Sequence, residues 1–208
     1  MKLFEFNQPV GKHVPEVYVD MDGVLADFFG AWAKLDGKDH YKDIDNKEAK
    51  LHLVKEHPNF WIELPILPNA GKLMGFIKKN FGHYNICSSP LAGDLQCEPQ
   101  KRLWIKKHLT AFPPDNIIIT ENKSAYATQA DGTPNILIDD YGVNTAAWNA
   151  AGGIAIKHKD HKLDRTIAAL EEIVNKMKHL RLVREKNNDH NMIDQKEKQT
   201  KVEAQLKQ

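Results

Sequence analysis

The sequence predicts an α/β fold: an open parallel sheet with helices on both faces and a small helical cap inserted after the first strand. Three observations predict it. Short β-rich apolar runs recur along the chain, segments with apolar residues at helical spacing separate them, and a polar, proline-punctuated stretch comes after the first strand and helix.

The elements run in order along the chain. Glu16 to Val19 reads as a strand after Pro15, and Leu25, Phe28, Phe29, Trp32 and Leu35 mark one face of a helix from Leu25 to Leu35. Asp36 to Asp45 is a Gly-containing break, Lys47 to His57 reads as helical, and Pro58, Pro65 and Pro68 punctuate the stretch up to the next helix, so this region looks like an insertion. Ala70 to Lys79 carries Leu73, Met74, Phe76 and Ile77 on one helical face and feeds a strand from His83 to Cys87. Pro99 suits the first turn of a helix running to His108. Strands are expected at Asn116 to Thr120, Asn135 to Ile138 and Gly153 to Ile156, with helices at Thr145 to Ala150 and from Leu163 to about Lys178. The segment 179–208, rich in Lys, Glu, Gln and Asn, reads as a solvated helix or a disordered tail.

The chain balances 29 basic against 28 acidic residues, so no bulk field points to a nucleic-acid polymer or a membrane. Two cysteines, Cys87 and Cys97, make neither a disulfide framework nor a zinc pattern, which fits a reducing cytoplasm. Neither a signal peptide nor a membrane span is expected from the apolar runs.

In open parallel sheets, ligands sit outside the carboxyl ends of the strands. Those ends carry Asp20 to Asp22, then Ser88 and Ser89, then Thr120 with Lys123 soon after, then Asp139 and Asp140. Hydrolysis of a phosphate monoester needs a nucleophile, a proton donor and charge neutralisation, and Asp20-Met21-Asp22-Gly23 can supply the first two. Asp20 would attack phosphorus, Asp22 would protonate the leaving oxygen, and Gly23 would let the backbone turn closely. Ser88 and Ser89 offer a hydroxyl and backbone N–H groups to phosphate, and Lys123 and Lys101 are candidate cations for it. The adjacent carboxylates of Asp139 and Asp140 would repel without a cation between them and their neighbours, and magnesium fits such an oxygen-rich set. Each feature taken alone also reads as an ordinary turn.

Other readings of these residues fail on spacing. A calcium loop starting at Asp20 would need Gly where Leu25 stands, and a cysteine phosphatase would need Arg where Gly93 or Leu103 stands. Around Gly71-Lys72, a phosphate-binding P-loop would need Gly at Ile66 and Ser or Thr at Leu73.

The pattern resembles the haloacid dehalogenase superfamily, with its four signatures at Asp20 to Val24, Ile86 to Ser88, Lys123, and Asp139-Asp140. Within that superfamily it is most similar to the 5'(3')-deoxyribonucleotidases, through Asp20 to Phe28, Phe60 to Leu64, Leu67-Pro68, Ile86 to Pro90, and Lys101, Trp104 and Lys107. The resemblance implies a Rossmann-like core over residues 1–24 and 69–178 and a cap over 25–68. It implies Asp20 as nucleophile, Asp22 as acid/base, and Ser88 and Lys123 on phosphate with help from Lys101. Magnesium would be held by Asp20, the backbone carbonyl of Asp22 and Asp139, with Asp140 nearby. Phe28, Phe60 and Trp61 would then lie near the base or sugar of a nucleotide, unless Phe60 and Trp61 simply fill the core. Tyr141 stands where the family commonly has arginine. Another small phosphomonoester as substrate, a non-catalytic binding role, and a homodimer all remain compatible with the residues.

Overall fold

A computed structural model describes residues 14–183 of the chain. Five strands form one parallel sheet in the order β3-β2-β1-β4-β5: β1 (Val17–Val19), β2 (Asn85–Ser88), β3 (Asn116–Ile119), β4 (Ile136–Asp139) and β5 (Ile154–Lys157). The predicted α/β class is therefore the observed one. β1, β2 and β4 are buried along their length, as expected of strands covered on both faces, whereas β3 at the edge is only half-buried.

Between β1 and β2 lie α1 (Phe28–Leu35), a 3-10 turn (Tyr41–Asp43), α2 (Lys47–Lys50), α3 (His52–Glu56) and α4 (Ala70–Phe81). α5 (Cys97–His108) joins β2 to β3, and α6 (Gly142–Ala150) joins β4 to β5. A further helix covers residues 163–183. The chain divides into two compact units, Met1–Ile167 and Ala168–Gln208, and the second is helical over its described residues. Most of the tail segment predicted over 179–208 lies outside the described residues.

Two local expectations are corrected. The first helix begins at Phe28 rather than Leu25, because residues 25–27 are used as a stem. Leu25 O accepts from Leu67 N at 2.8 Å, Asp27 N donates to Pro65 O at 2.8 Å, and Ala26 and Ile66 form an antiparallel bridge. The stem ties together the two ends of the inserted segment, and Asp27 also caps α1 through Gly30 N at 2.9 Å. The single helix expected over Lys47 to His57 is two short ones that meet at Leu51.

The second half of the insertion is fastened to one face of α5. Gln100 Nε2 donates to Pro58 O at 2.7 Å, Trp104 Nε1 donates to Leu64 O at 2.7 Å, and Trp61 Nε1 reaches Asp94 Oδ2 at 2.7 Å in the loop before α5. Residues 100, 101 and 104 share that face by helical spacing, so Lys101 is carried on the same seam.

Candidate active site

β1 is central, and the chain winds from it first to β2 and β3 and later to β4 and β5. The point where the winding reverses lies between β1 and β4, which is where a crevice opens in such sheets. Asp20 leaves β1 at that point and Asp139 ends β4 beside it.

The two residues share one cation. Lys123 Nζ is 2.9 Å from Asp20 Oδ1 and 2.7 Å from Asp139 Oδ2. All three side chains are buried, and Lys123 stands on a 3-10 turn (Lys123–Tyr126) after β3. Burial would discharge this ammonium, but the two flanking carboxylates outweigh it and hold the pKa above the usual lysine value. Asp139 is further oriented by Tyr141 N, which donates to Oδ1 at 2.8 Å, and by Asn144 Nδ2, which donates to Oδ2 at 3.0 Å. Met21 N donates to Asp20 Oδ1 at 2.7 Å. The Lys123 and Met21 contacts both fall on Asp20 Oδ1, and among the described residues none is made to Oδ2.

Asp140 completes a cluster in which one carboxylate oxygen from each of Asp20, Asp139 and Asp140 lies within 4.8 Å of the others. Three carboxylates share one lysine, so burial, and then the charges of Asp20, Asp139 and Asp22, push Asp140 up to about 8. Burial and Asp20 likewise raise Asp139, against the pull of Lys123.

Asp22 belongs to a second arrangement. Its Oδ2 lies 2.6 Å from Lys101 Nζ, which also reaches Ser89 O at 2.7 Å and Ser88 Oγ at 3.1 Å. Lys101 is fully buried, and Asp22 Oδ1 is buried with no hydrogen-bond partner. Burial raises the Asp22 pKa, the Lys101 charge opposes it, and the Asp20 charge adds to it, so the net shift is upward. A carboxyl held toward its protonated form suits the donation of a proton.

Gly23 fits the loop for two reasons. Its φ is +72°, and a Cβ there would stand 2.6 Å from Asp140 Oδ2 and 2.9 Å from Phe29 Cε2.

The structure thus gathers Asp20, Asp22, Ser88, Ser89, Lys101, Lys123 and Asp139 at the sheet's carboxyl edge. It adds Asp140 to the carboxylate cluster as a full member, and it puts the Asp22 carboxylate with Lys101 instead. Phe60 and Trp61 are 4% and 2% exposed and pack edge-to-face at 5.2 Å. Phe28 stacks on Trp61 at 5.4 Å, and Lys101 Nζ stands over the same ring at 4.6 Å. Only Phe28 of the three is half-buried. Cys87 and Cys97 are free and buried, and burial pushes Cys87 up to about 12 and Cys97 up to about 11, so neither is a ready thiolate nucleophile. No helix among the described residues is long and apolar enough to cross a membrane.

A parallel α/β core bearing aspartates, a serine and lysines at its carboxyl edge has the donor set of a hydrolase that acts on a phosphate ester. No family model matches the chain. A Bordetella pertussis protein named "Putative 5'(3')-deoxyribonucleotidase" is 30% identical over 153 residues, 63% of this chain and 76% of that one. A Bordetella bronchiseptica protein of the same name matches to the same extent. A haloacid dehalogenase-superfamily hydrolase of subfamily IA from Geobacter sulfurreducens superposes with a TM-score of 0.44 at 12% identity, covering 73% of this chain and 99% of that one. The chain belongs to the 5'(3')-deoxyribonucleotidase family.

Proposed function

We propose that the protein is a magnesium-dependent phosphatase that hydrolyses the phosphomonoester of deoxyribonucleoside monophosphates through a phosphoryl-enzyme intermediate on Asp20. The observation that carries this reading is the separation of two carboxylates on one loop: Asp20 paired with Lys123, and Asp22 with Lys101. Two similar groups in different environments can perform two different steps.

The carboxylates of Asp20, Asp139 and Asp140, with the main-chain carbonyl of Asp22, suit a hard divalent ion, because a single lysine leaves their charge under-compensated. When bound, magnesium would offset that charge and polarise the phosphoryl oxygens. Asp20 Oδ2 attacks phosphorus, the P–O bond to the sugar breaks, and the departing alkoxide takes the proton held by Asp22. Water then attacks the phosphorus of the aspartyl phosphate and gives its proton to Asp22. That step releases phosphate and restores Asp20. Ser88 and Lys123 bind phosphoryl oxygens, while Lys101 sets the position and charge of Asp22 and the placement of Ser88 Oγ.

The nucleotide assignment draws on the names of the Bordetella relatives and on the aromatic lining of the insertion. A panel of deoxy- and ribonucleoside monophosphates and sugar phosphates tests it, assayed for phosphate release with magnesium and with chelator. Preference for deoxynucleotides with loss in chelator is expected; a clear preference for sugar phosphates would overturn the substrate, and undiminished release in chelator would overturn the metal. Two buried free thiols match a reducing cytoplasm as its compartment.

A further inference from the structure

We infer that Asp94 is a positioning residue for proton transfer: it holds the Trp61 indole over the Lys101 ammonium, which in turn holds the carboxyl of Asp22. The inference rests on the acid role of Asp22 proposed above.

The Lys101 ammonium has three N–H donors and meets three oxygens, Asp22 Oδ2 at 2.6 Å, Ser89 O at 2.7 Å and Ser88 Oγ at 3.1 Å. Besides these it meets an aromatic face, the Trp61 ring, whose centroid is 4.6 Å away. Both side chains are buried, so the ring keeps water from the ammonium and attracts it through its π-electrons. Trp61 has one polar side-chain atom, Nε1, and it donates to Asp94 Oδ2 at 2.7 Å. A carboxylate acceptor makes this a charge-assisted bond. Phe28 and Phe60 also pack on the indole, but apolar contact is non-directional and leaves its orientation to that bond.

Asp94 is itself fixed. Its Oδ1 accepts from Gln96 N at 2.9 Å and its N donates to Leu91 O at 3.1 Å, in the loop that runs from Ser88 and Ser89 to α5. Trp61 belongs to the inserted segment, whereas Asp94 and Lys101 belong to the core. The bond that fastens the insertion to this loop therefore also sets the geometry of the acid: a turned indole lets the ammonium shift, and Asp22 Oδ2 shifts with it.

The test is a double-mutant cycle of Asp94→Ala, Trp61→Phe and the two together, read as the ratio of kcat/KM for 2-deoxyribose 5-phosphate to that for p-nitrophenyl phosphate. The first substrate has no base to stack and an alkoxide leaving group that needs a proton; the second departs unprotonated. A shift of Ser88 through Lys101 falls on both and cancels. Both single variants remove the bond between the two residues, while only Asp94→Ala also frees Gln96 N. Each single is expected to lower the ratio by about tenfold, and the double variant no further than either single. An unchanged ratio in either single, a parallel fall on both substrates, or effects that multiply in the double would overturn the inference. Failure of the acid reading shows separately, as an Asp22→Asn variant that loses activity equally on both substrates.

Discussion

Lys101 Nζ lies 2.6 Å from Asp22 Oδ2, and the two residues stand 79 positions apart in the chain. The contact joins the catalytic loop after β1 to the helix that also anchors Trp104 to the insertion at Leu64. Removing the cation while keeping the volume, as in Lys101→Met, takes away the interaction that holds the Asp22 pKa down. The basic limb of the kcat/KM profile then moves to higher pH, and kcat falls on the order of a hundredfold as Asp22 and Ser88 lose their common anchor. A pH–rate series on the wild type and the variant checks both.

Asp22→Asn removes the proton donor and leaves Asp20 in place. The loss for nucleotide substrates is expected at about 10² to 10⁴ in kcat/KM, which reports the steps through departure of the leaving group. It should be smaller for p-nitrophenyl phosphate, whose leaving group departs without protonation. Equal losses on the two substrates would remove Asp22 from the acid role.

Metal-free protein should lose stability as pH rises. Asp140 titrates at about 8 in the folded state, far above its ordinary value of 3.8, so the folded state holds a proton that the unfolded chain has released. Between those two values the stability falls with each pH step and levels off above about 8. Magnesium favours the ionised carboxylates, so the rise in Tm on adding it should grow from pH 5 to pH 8. Thermal melts with magnesium and with chelator across that range measure the effect, and a stabilisation that shrinks with pH would contradict it.

Gly23→Ala places a methyl group where Asp140 and Phe29 already stand, on a backbone with φ +72°. The left-handed conformation alone costs about 1–2 kcal/mol, read as a lowered urea midpoint. Activity should fall further than stability, because the loop shifts away from Asp140 to relieve the contact.

The strand ends were legible in the sequence because apolar runs such as Ile86-Cys87 and Ile136-Leu137-Ile138 stop at Ser88 and Asp139, and a parallel sheet collects such ends at one edge. Asp20 and Asp22 were legible for the same reason, helped by a glycine that permits the turn. The Lys101–Asp22 pair was not. Among 29 basic residues nothing local distinguishes a lysine that a helix face will bury against a distant loop. Helical periodicity also hid the stem at 25–27, where the pairing partner, Pro65 to Leu67, read as a break because of its prolines. The aromatic residues were less legible, since ring content says nothing about exposure: Phe60 and Trp61 are buried while Phe28 is half-buried.

The most direct test of Asp20 as nucleophile is to trap the intermediate. Enzyme quenched during turnover of a deoxynucleotide with magnesium is treated with borohydride, which reduces an acyl phosphate to the alcohol, and the modified peptide is located by mass spectrometry. Homoserine is expected at position 20 alone, dependent on substrate and absent from Asp20→Asn, which also releases no phosphate. Homoserine at another aspartate, or phosphate release that survives in Asp20→Asn, would contradict it.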